Sequence, residues 1–466
     1  MATITKSAKL KRIHFETSRE LDFFAPKELI AQTGHEVREW PLVCLKELLD
    51  NSLDACEEAD TAPEITVEVA DEKITVADNG PGIPDSVVES VLDFSIRVSS
   101  REAYVAPCRG AQGNALKTLV AMPFALCGQG CIVIESLGIR HEIQVSVDQL
   151  KQEPRIEHRK SDSDLRSGTR ISIDWPHLPS SIKMGRPSPI LQIDDRAPTL
   201  GDSPSLILEY AKSRFLQIVE DYCWLNPHLS LCCSWGSDQE LVYQATDTSW
   251  RKWLPSTPTD PHWYSEEDLR RLIAANIVHK DRLVREFVAE FRGLSGSLKQ
   301  KKVLEASGLS RKMLSDLLTS ENAVDQNKTF VLLAAMKSEV AAVKPKSLGV
   351  IGRDHLKKKA ALIGSQDESF QYKQISDVEN GRAWIAEVCF AYCPVEGRSR
   401  RIVTGVNWSP GIKNPFRNLG TAGRSLDAVL EKFYVGADEP TVFILHLAKP
   451  GVQYSDRGKS SIVIED

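Results

Sequence analysis

Apolar residues recur every three or four positions between residues 42 and 55, which predicts an amphipathic helix early in the chain. Its apolar face consists of Leu45, Leu48, Leu49 and Leu53. Glu47 and Asn51 are four residues apart and so share another face, and Asp54 follows three residues later. Such a row is either a solvated helix surface or a general base beside a ligand for a hard cation.

Shorter apolar–polar alternations predict strands in the first half of the chain, near residues 64–70, 73–77, 131–136, 141–147 and 169–175. A further helix begins near residue 113, and helix 206–222 precedes a strand at 229–235. These patterns predict an α/β sandwich, with helices on one face of a mixed sheet.

The second half changes from helices to strands. Helical patterns cover residues 280–345, with a helix–turn–helix rhythm around Gly308, and strands return at 384–392, 401–406 and 441–447 around a helix at 425–433. The chain is therefore predicted to be α+β. The predicted divisions are an N-terminal segment 1–40, a first domain 41–240 with a mobile insertion rich in Pro, Ser, Gly and Asp at 178–204, a helical middle domain 241–345 and a C-terminal domain 346–466.

Composition narrows the class of protein only slightly. A net charge of −6 over 466 residues gives no general attraction to nucleic acid, and no segment predicts a membrane span or a signal peptide. The ten scattered cysteines are typical of reduced thiols in a cytoplasmic or nucleoid-associated protein. Between Lys299 and Lys359, however, 13 Lys and Arg outnumber 6 Asp and Glu, which indicates either a duplex DNA backbone contact or a solvated surface.

Two glycine-containing segments could bind a ligand. Gly80 and Gly82 follow a predicted strand and Asp78, so the backbone can approach a ligand closely while Asp78 accepts a hydrogen bond from an amine. Residues 109–117 place a Gly-rich loop before a helix, which is a phosphate-binding geometry. Each segment alone is equally consistent with an ordinary turn. The polar residues 95–109 would be either a lid or a passive surface loop.

In this order the three segments resemble the N-box, G1-box and G2-box of GHKL ATPases, and Ser167-Gly168-Thr169 resembles their fourth motif. The resemblance implies a GHKL (Bergerat) ATP-binding sandwich in which Glu47 is the general base for water, Asn51 binds Mg²⁺ and Asp78 binds the adenine amino group. It implies further nucleotide contacts from Asp54, Gly80, Gly82, Gly110, Gln112, Gly113, Asn114 and Thr169. Ala115 stands where the family has a third loop glycine, which bears on how the loop wraps the phosphates.

Gly458-Lys459-Ser460 is not predicted to be a P-loop, because Gln453 stands where a P-loop needs glycine and only six residues follow Ser460. Residues 451–461 instead resemble the switch-lysine loop of the topoisomerase VI ATPase subunits, as do three earlier segments: Asn226-Pro227-His228, Pro261–Tyr264 and Val284–Val288. This branch of the family implies a helix–two-turn–helix segment, an α/β transducer domain and a catalytic cation, Lys459, at the γ-phosphate.

The resemblance implies the ATP-binding and hydrolysing subunit of a type IIB DNA topoisomerase or a related DNA-acting complex. It implies a homodimer that closes on ATP, with residues 1–40 as a strap, duplex DNA, and a topoisomerase A-like or Toprim-containing partner that cleaves DNA. The sequence ends seven residues after Lys459, where the topoisomerase subunit continues, so either the partner docks differently or no topoisomerase forms. The alternatives are a MutL- or chaperone-like ATPase that remodels a complex without strand passage, and an interaction protein with a decayed site.

Overall fold

The structure is a computed structural model that describes residues 23–70, 73–92, 103–110, 115–148, 153–175, 204–237, 239–417, 424–456 and 458–463. The helices are α1 Pro26–Thr33, α2 Trp40–Glu58, α3 Asp85–Val91, α4 Ala115–Cys127, α5 Pro204–Leu225, α6 Glu266–Lys280, α7 Val284–Ala289, α8 Ser297–Ser307, α9 Gln326–Ser338, α10 Arg353–Leu362 and α11 Leu426–Lys432. The strands are β1 Glu64–Ala70, β2 Lys73–Asp78, β3 Gly130–Ser136, β4 Ile139–Asp148, β5 Glu153–Asp162, β6 Thr169–Asp174, β7 Ser230–Trp235, β8 Gln239–Tyr243, β9 Gln371–Glu379, β10 Arg382–Tyr392, β11 Arg401–Val406, β12 Ser409–Pro410 and β13 Thr441–Ala448.

The first half of the chain forms an eight-stranded sheet in the order β5-β4-β3-β6-β2-β1-β7-β8. Neighbouring strands are antiparallel except β1 and β7, which run parallel. Helix α5 follows β6 in the chain and leads into β7 at the side of β1. Helices α2, α4 and α5 pack on the sheet, against β2, β3 and β7 respectively. The predicted α/β sandwich with a mixed sheet is therefore confirmed.

Burial of α2 explains why this helix is fixed so firmly. Leu45, Leu49 and Leu53 are fully buried in the apolar cluster under the sheet, and Trp40 at the start of the helix is fully buried as well. Each such side chain contributes about 1.5–3 kcal/mol relative to an exposed position. The apolar stripe thus anchors α2 and fixes the direction in which its polar face points.

The second half contains a five-stranded sheet in the order β12-β11-β13-β10-β9, in which β11 and β13 are parallel and the other pairs antiparallel. The helices from α6 to α10 share one apolar cluster with this sheet; Val288, Leu332, Leu356 and Ile385 all belong to it. The helical segment and the C-terminal sheet are thus packed around a common core, and the division between them at residues 345 and 346 stays a prediction.

Helix α5 connects the two halves. Most of its buried side chains belong to the first cluster, but Trp224 and Leu225 at its end belong to the second. Leu225 presses so closely on β11 that a Cβ added to Gly405 would lie 2.4 Å from Leu225 Cδ1. Arg401 of β11 pairs with Asp221 of α5 at 2.7 Å. The two halves therefore share both apolar and ionic contacts along one helix.

Several predicted features fall wholly or largely outside the described residues: the first 22 residues of the N-terminal segment, the insertion at 178–204 and most of the loop 95–109. The end of the N-terminal segment is described, and there α1 packs on α4, with the rings of Phe24 and Phe124 5.4 Å apart. Within the described ranges no helix is long and apolar enough to span a bilayer. All ten cysteines are free thiols.

Candidate functional site

Helix α2 presents Glu47 and Asn51 on its polar side, with Glu47 half-buried and Asn51 exposed. Burial raises the pKa of Glu47, and the nearby ammonium groups of Lys459 and Lys46 oppose that shift. A raised pKa makes the carboxylate a stronger base, which suits a residue that accepts a proton from water. The exposed amide of Asn51 is free to turn its oxygen towards a cation, one helical turn away from Glu47.

Asp78, the last residue of β2, is held in a fixed orientation. Its Oδ1 accepts hydrogen bonds from the backbone N–H groups of Gly80 (2.9 Å) and Thr169 (3.2 Å), and its Oδ2 accepts one from Ser52 Oγ at 3.0 Å. Burial raises the pKa of Asp78, although these hydrogen bonds oppose the shift. The carboxylate is thus aimed by three donors and keeps lone pairs for an incoming amine.

Thr169 lies directly beside Asp78, because β2 and β6 are paired in a register that places these two residues opposite each other. Gly168, just before Thr169, has φ +79°, and a Cβ there would lie 2.1 Å from the Asp78 carbonyl oxygen. Gly82 has φ +90°, and its Cβ would lie 2.7 Å from Ser136 Oγ. Glycine at 168 and 82 therefore allows the turn after β2 to pack closely against β6 and β3.

Asp54, also predicted to contact nucleotide, points into a buried ion-pair cluster. Arg109 donates at 2.7 Å to Asp54, at 2.7 Å through two nitrogens to Glu57, and at 2.6 Å to Asn226. Lys252 adds a second cation, 2.8 Å from Glu57. Asp54 is 3% exposed, so its carboxylate orients Arg109 instead of lying open beside Glu47 and Asn51.

Arg109 and Gly110 are the described residues at the start of the Gly-rich loop; Gln112, Gly113 and Asn114 lie outside the described part. Arg109 anchors the start of that loop to α2 through the ion-pair cluster. Space around Gly110 is open, since no atom lies within 4 Å of an added Cβ. Helix α4 begins at Ala115, after the loop, as the sequence predicts.

Lys459 reaches this site from a loop at the other end of the chain. Its Nζ donates a 3.0 Å hydrogen bond to the Arg109 carbonyl oxygen, 350 positions away in sequence. The loop is closed by Asp456, which accepts hydrogen bonds from the Ser460 amide at 3.1 Å and hydroxyl at 2.5 Å. Burial and Lys46 lower the pKa of Lys459, whereas Glu47 opposes that shift. The structure thus brings together the two residues predicted to be catalytic.

Sequence reasoning missed the residues that join α2 to the C-terminal sheet. Asp50 is buried and accepts hydrogen bonds from Lys46 (2.7 Å) and Tyr222 (2.7 Å), and from Ser409 of β12 (2.8 and 2.9 Å). Lys46 also donates to Ser409. Burial raises the pKa of Asp50, but these cationic and hydroxyl donors outweigh it and leave the pKa below its ordinary value. The only sign of this cluster in the sequence is a charged residue, Asp50, on the apolar side of α2.

The side chains present fit a magnesium ion that is held mainly by the oxygens of a bound molecule, with few ligands from the protein. Among the residues that the structure describes, no three His, Cys, Asp or Glu side chains form a group that could hold a metal ion. Mg²⁺ is commonly bound by one or two protein oxygens together with substrate phosphates and water. An exposed Asn51 on α2 is compatible with that arrangement and not with a protein-only metal cage.

Comparison with known proteins agrees with this geometry. Residues 37–178 match the family described as histidine kinase-, DNA gyrase B-, and HSP90-like ATPase. The match includes α2, the turn after β2, the Gly-rich loop and β6. Residues 37–178 are therefore a GHKL ATPase domain, as the motifs predict.

Most of the chain is similar to the B-type subunits of type 2 DNA topoisomerase 6. The protein from Methanococcoides burtonii is 24% identical over 484 residues, which cover 96% of this chain and 67% of the relative. The protein from Saccharolobus shibatae is 25% identical over 445 residues, covering 91% and 76%. The ATPase region of Saccharomyces cerevisiae topoisomerase II is 11% identical, with a TM-score of 0.36, and the match covers 91% of this chain and 78% of that structure.

Proposed function

We propose that this chain is the ATP-binding and ATP-hydrolysing subunit of a topoisomerase VI-like, DNA-acting complex. The observation that carries the proposal is the docking of Lys459 against Arg109, beside Glu47 of the ATPase domain. A decayed nucleotide site would have no reason to keep a general base, a distant cation and an oriented Asp78 together. The similarity to the B-type subunits of topoisomerase 6 supports the same branch of the family.

Each described residue has a chemical role in this proposal. Asp78 accepts a hydrogen bond from the adenine amino group, and Thr169 lies beside it. Glu47 orients the attacking water and removes its proton, an effect that commonly contributes about 10²–10⁴-fold. Lys459 stabilises the negative charge that develops on the γ-phosphate. Asn51 would hold Mg²⁺, which would supply charge neutralisation for the phosphates when bound.

Coupling to the rest of the chain follows from the position of Lys459. The loop that carries Lys459 belongs to the same C-terminal half as β12 and β13. A γ-phosphate that attracts Lys459 therefore also exerts a force on this half of the chain. Loss of the phosphate after hydrolysis would leave Lys459 bound only to protein groups. Nucleotide state would thereby be transmitted from the ATPase domain to the C-terminal sheet.

We infer that two copies close on ATP around duplex DNA and act with a DNA-cleaving partner of the topoisomerase A or Toprim kind, which places the protein in the cytoplasm or on the nucleoid. The basic segment supports a DNA contact: the side chains of Lys301, Lys302 and Lys312 are 70%, 56% and 52% exposed. Each also pairs with a carboxylate. We therefore expect weak backbone contacts that depend on salt, without sequence specificity.

The test is ATP hydrolysis by the purified chain with and without duplex DNA, together with nucleotide binding by equilibrium titration. We expect Glu47→Gln to retain ATP binding and lose turnover by at least about 100-fold. We expect Lys459→Ala to slow hydrolysis with less effect on binding. Glu68→Gln and Lys432→Ala change exposed residues of the same types and serve as matched controls.

The outcomes separate the hypotheses. Hydrolysis that depends on Glu47 and Lys459 and rises with duplex DNA supports the topoisomerase-like function. The same dependence without any response to DNA would favour remodelling of a protein client. Absence of nucleotide binding, or full activity of Glu47→Gln, would refute the catalytic assignment and favour an interaction protein.

A further inference from the structure

His35 contacts the loop that carries Lys459 from the opposite side. This histidine follows α1 and is 5% exposed. Its Nε2 lies 3.1 Å from the carbonyl oxygen of Gly458, the residue before Lys459, and its Nδ1 lies 3.3 Å from Glu39 Oε2. His35 therefore bridges the start of α2 and the C-terminal loop, next to the residue proposed to sense the γ-phosphate.

Both partners of His35 can only accept hydrogen bonds. A backbone carbonyl has no proton to give, and Glu39 is ionised, since hydrogen bonds from His35 and Lys413 outweigh burial and lower the pKa of Glu39 to about 2. A neutral imidazole has one N–H and could serve one of these partners. Each ring nitrogen therefore faces an acceptor, and the ring holds at least one of these partners by donating to it.

We propose that His35 is a positioning residue that holds the Lys459 loop in its docked place. Its catalytic consequence rests on the proposed function of Lys459, whereas the contact itself does not. The ion pair of Lys413 with Glu39 at 2.9 Å extends the contact, because it connects the same carboxylate to the C-terminal half. Gly458 allows the close approach, as an added Cβ would lie 2.8 Å from the Gly34 carbonyl oxygen.

Hydrogen exchange of the amides at residues 458–463 measures the docking directly and needs no turnover. We expect His35→Ala to speed this exchange roughly tenfold, the effect of one lost hydrogen bond. His35→Gln keeps a donor towards Gly458 and should retain most of the protection. His279→Ala, at an exposed histidine of α6, is the matched control.

Rescue by His35→Gln separates positioning from general destabilisation. A glutamine that donates to the Gly458 carbonyl oxygen should keep the protection of residues 458–463, whereas His35→Ala should lose it. Unchanged loop exchange in His35→Ala would overturn the proposal, as would equal loss of protection in His35→Ala and His35→Gln. Faster loop exchange in His35→Ala, in a chain whose ATP hydrolysis is unaffected by Lys459→Ala, would support the positioning role of His35. The same result would refute the proposed catalytic role of Lys459.

Discussion

Ser409 and Asp50 join the two halves of the chain through one carboxylate. Ser409 Oγ lies 2.8 and 2.9 Å from the two oxygens of Asp50, which stands on α2 three residues after Glu47. Ser409 is on β12, in the C-terminal sheet. The helix that carries the proposed base is thus connected to the sheet by a buried hydrogen bond independent of the Lys459 loop.

Ser409→Ala should weaken this connection without altering the nucleotide contacts. We expect a loss of about 1 kcal/mol in unfolding free energy and slower ATP hydrolysis at unchanged ATP affinity. Titration of ATP binding and measurement of kcat on the same preparation would check it. Ser376→Ala, at an exposed serine of β9, is the control. A rise in KM with constant kcat would contradict the expectation.

Arg109→Ala should be among the most destabilising changes in the ATPase domain. It would leave the buried carboxylates of Asp54 and Glu57 without their main cation, which commonly costs about 3–5 kcal/mol. Urea or thermal unfolding measures the loss. Arg159→Ala, whose side chain is 70% exposed, should change stability little. Arg109→Lys should recover only part of the loss, because one ammonium cannot reproduce the forked contact with Glu57.

Gly168→Ala should disrupt the wall of the proposed adenine site. The added Cβ would meet the Asp78 carbonyl oxygen at 2.1 Å, so β2 and β6 must separate and Asp78 must move. We expect loss of ATP binding together with lower stability. Gly128→Ala is matched in φ, at +76°, but has open space around the added atom. It should show a smaller loss of stability and normal ATP affinity, and equal effects of the two changes would refute the explanation.

His355 predicts an acid-sensitive contact outside the nucleotide site. Its Nε2 donates to the Trp224 carbonyl oxygen at 3.0 Å, and its Nδ1 accepts from Thr246 at 2.5 Å, so the neutral ring is fully bonded. Burial lowers its pKa to about 4. Between its ordinary pKa near 6.5 and this value, the unfolded chain binds a proton that the folded chain does not. As the pH is lowered through this range, the unfolding free energy should therefore decrease, by up to about 1.4 kcal/mol per pH unit.

Thermal unfolding of the wild type and His355→Gln at pH 7.5 and 5 tests this sign. The wild type should lose more stability than the variant on acidification, so the difference between them should shrink at pH 5. His279→Gln, at an exposed histidine, should track the wild type at both values. A difference that grows at pH 5 would show that His355 is charged in the folded chain.

Periodicity predicted the elements that are buried on one face. The stripe of α2 and the alternation of β1 and β6 follow burial directly, and these elements appear where the sequence places them. Strand β5 was missed because its side chains are polar or only half-buried throughout; it is fixed by pairing along β4. Backbone pairing at a sheet edge leaves little trace in side-chain pattern.

The candidate site was predictable as far as motifs determine it. Glu47, Asn51, Asp78 and Thr169 could be named because their local segments carry recognisable spacing. Partners that meet only through tertiary packing could not: nothing near Ser409 in the sequence indicates Asp50. Asp54 also follows Asn51 at helical spacing and was therefore predicted to contact the nucleotide. In the structure it pairs with Arg109, because the Gly-rich loop begins beside this part of α2.

The end of α5 constrains how the two halves can move. Trp224 and Leu225 are 1% and 0% exposed in the second cluster, although their helix is anchored in the first. Pulling the halves apart would wet both side chains, at about 25 cal/mol per Å². Polar contacts between the halves, such as that of Arg214 with the Gly411 carbonyl oxygen, can instead exchange with water at small net free energy. The buried end of the helix is therefore the contact that is most costly to separate, and a larger side chain in place of Gly405 would disturb it by meeting Leu225.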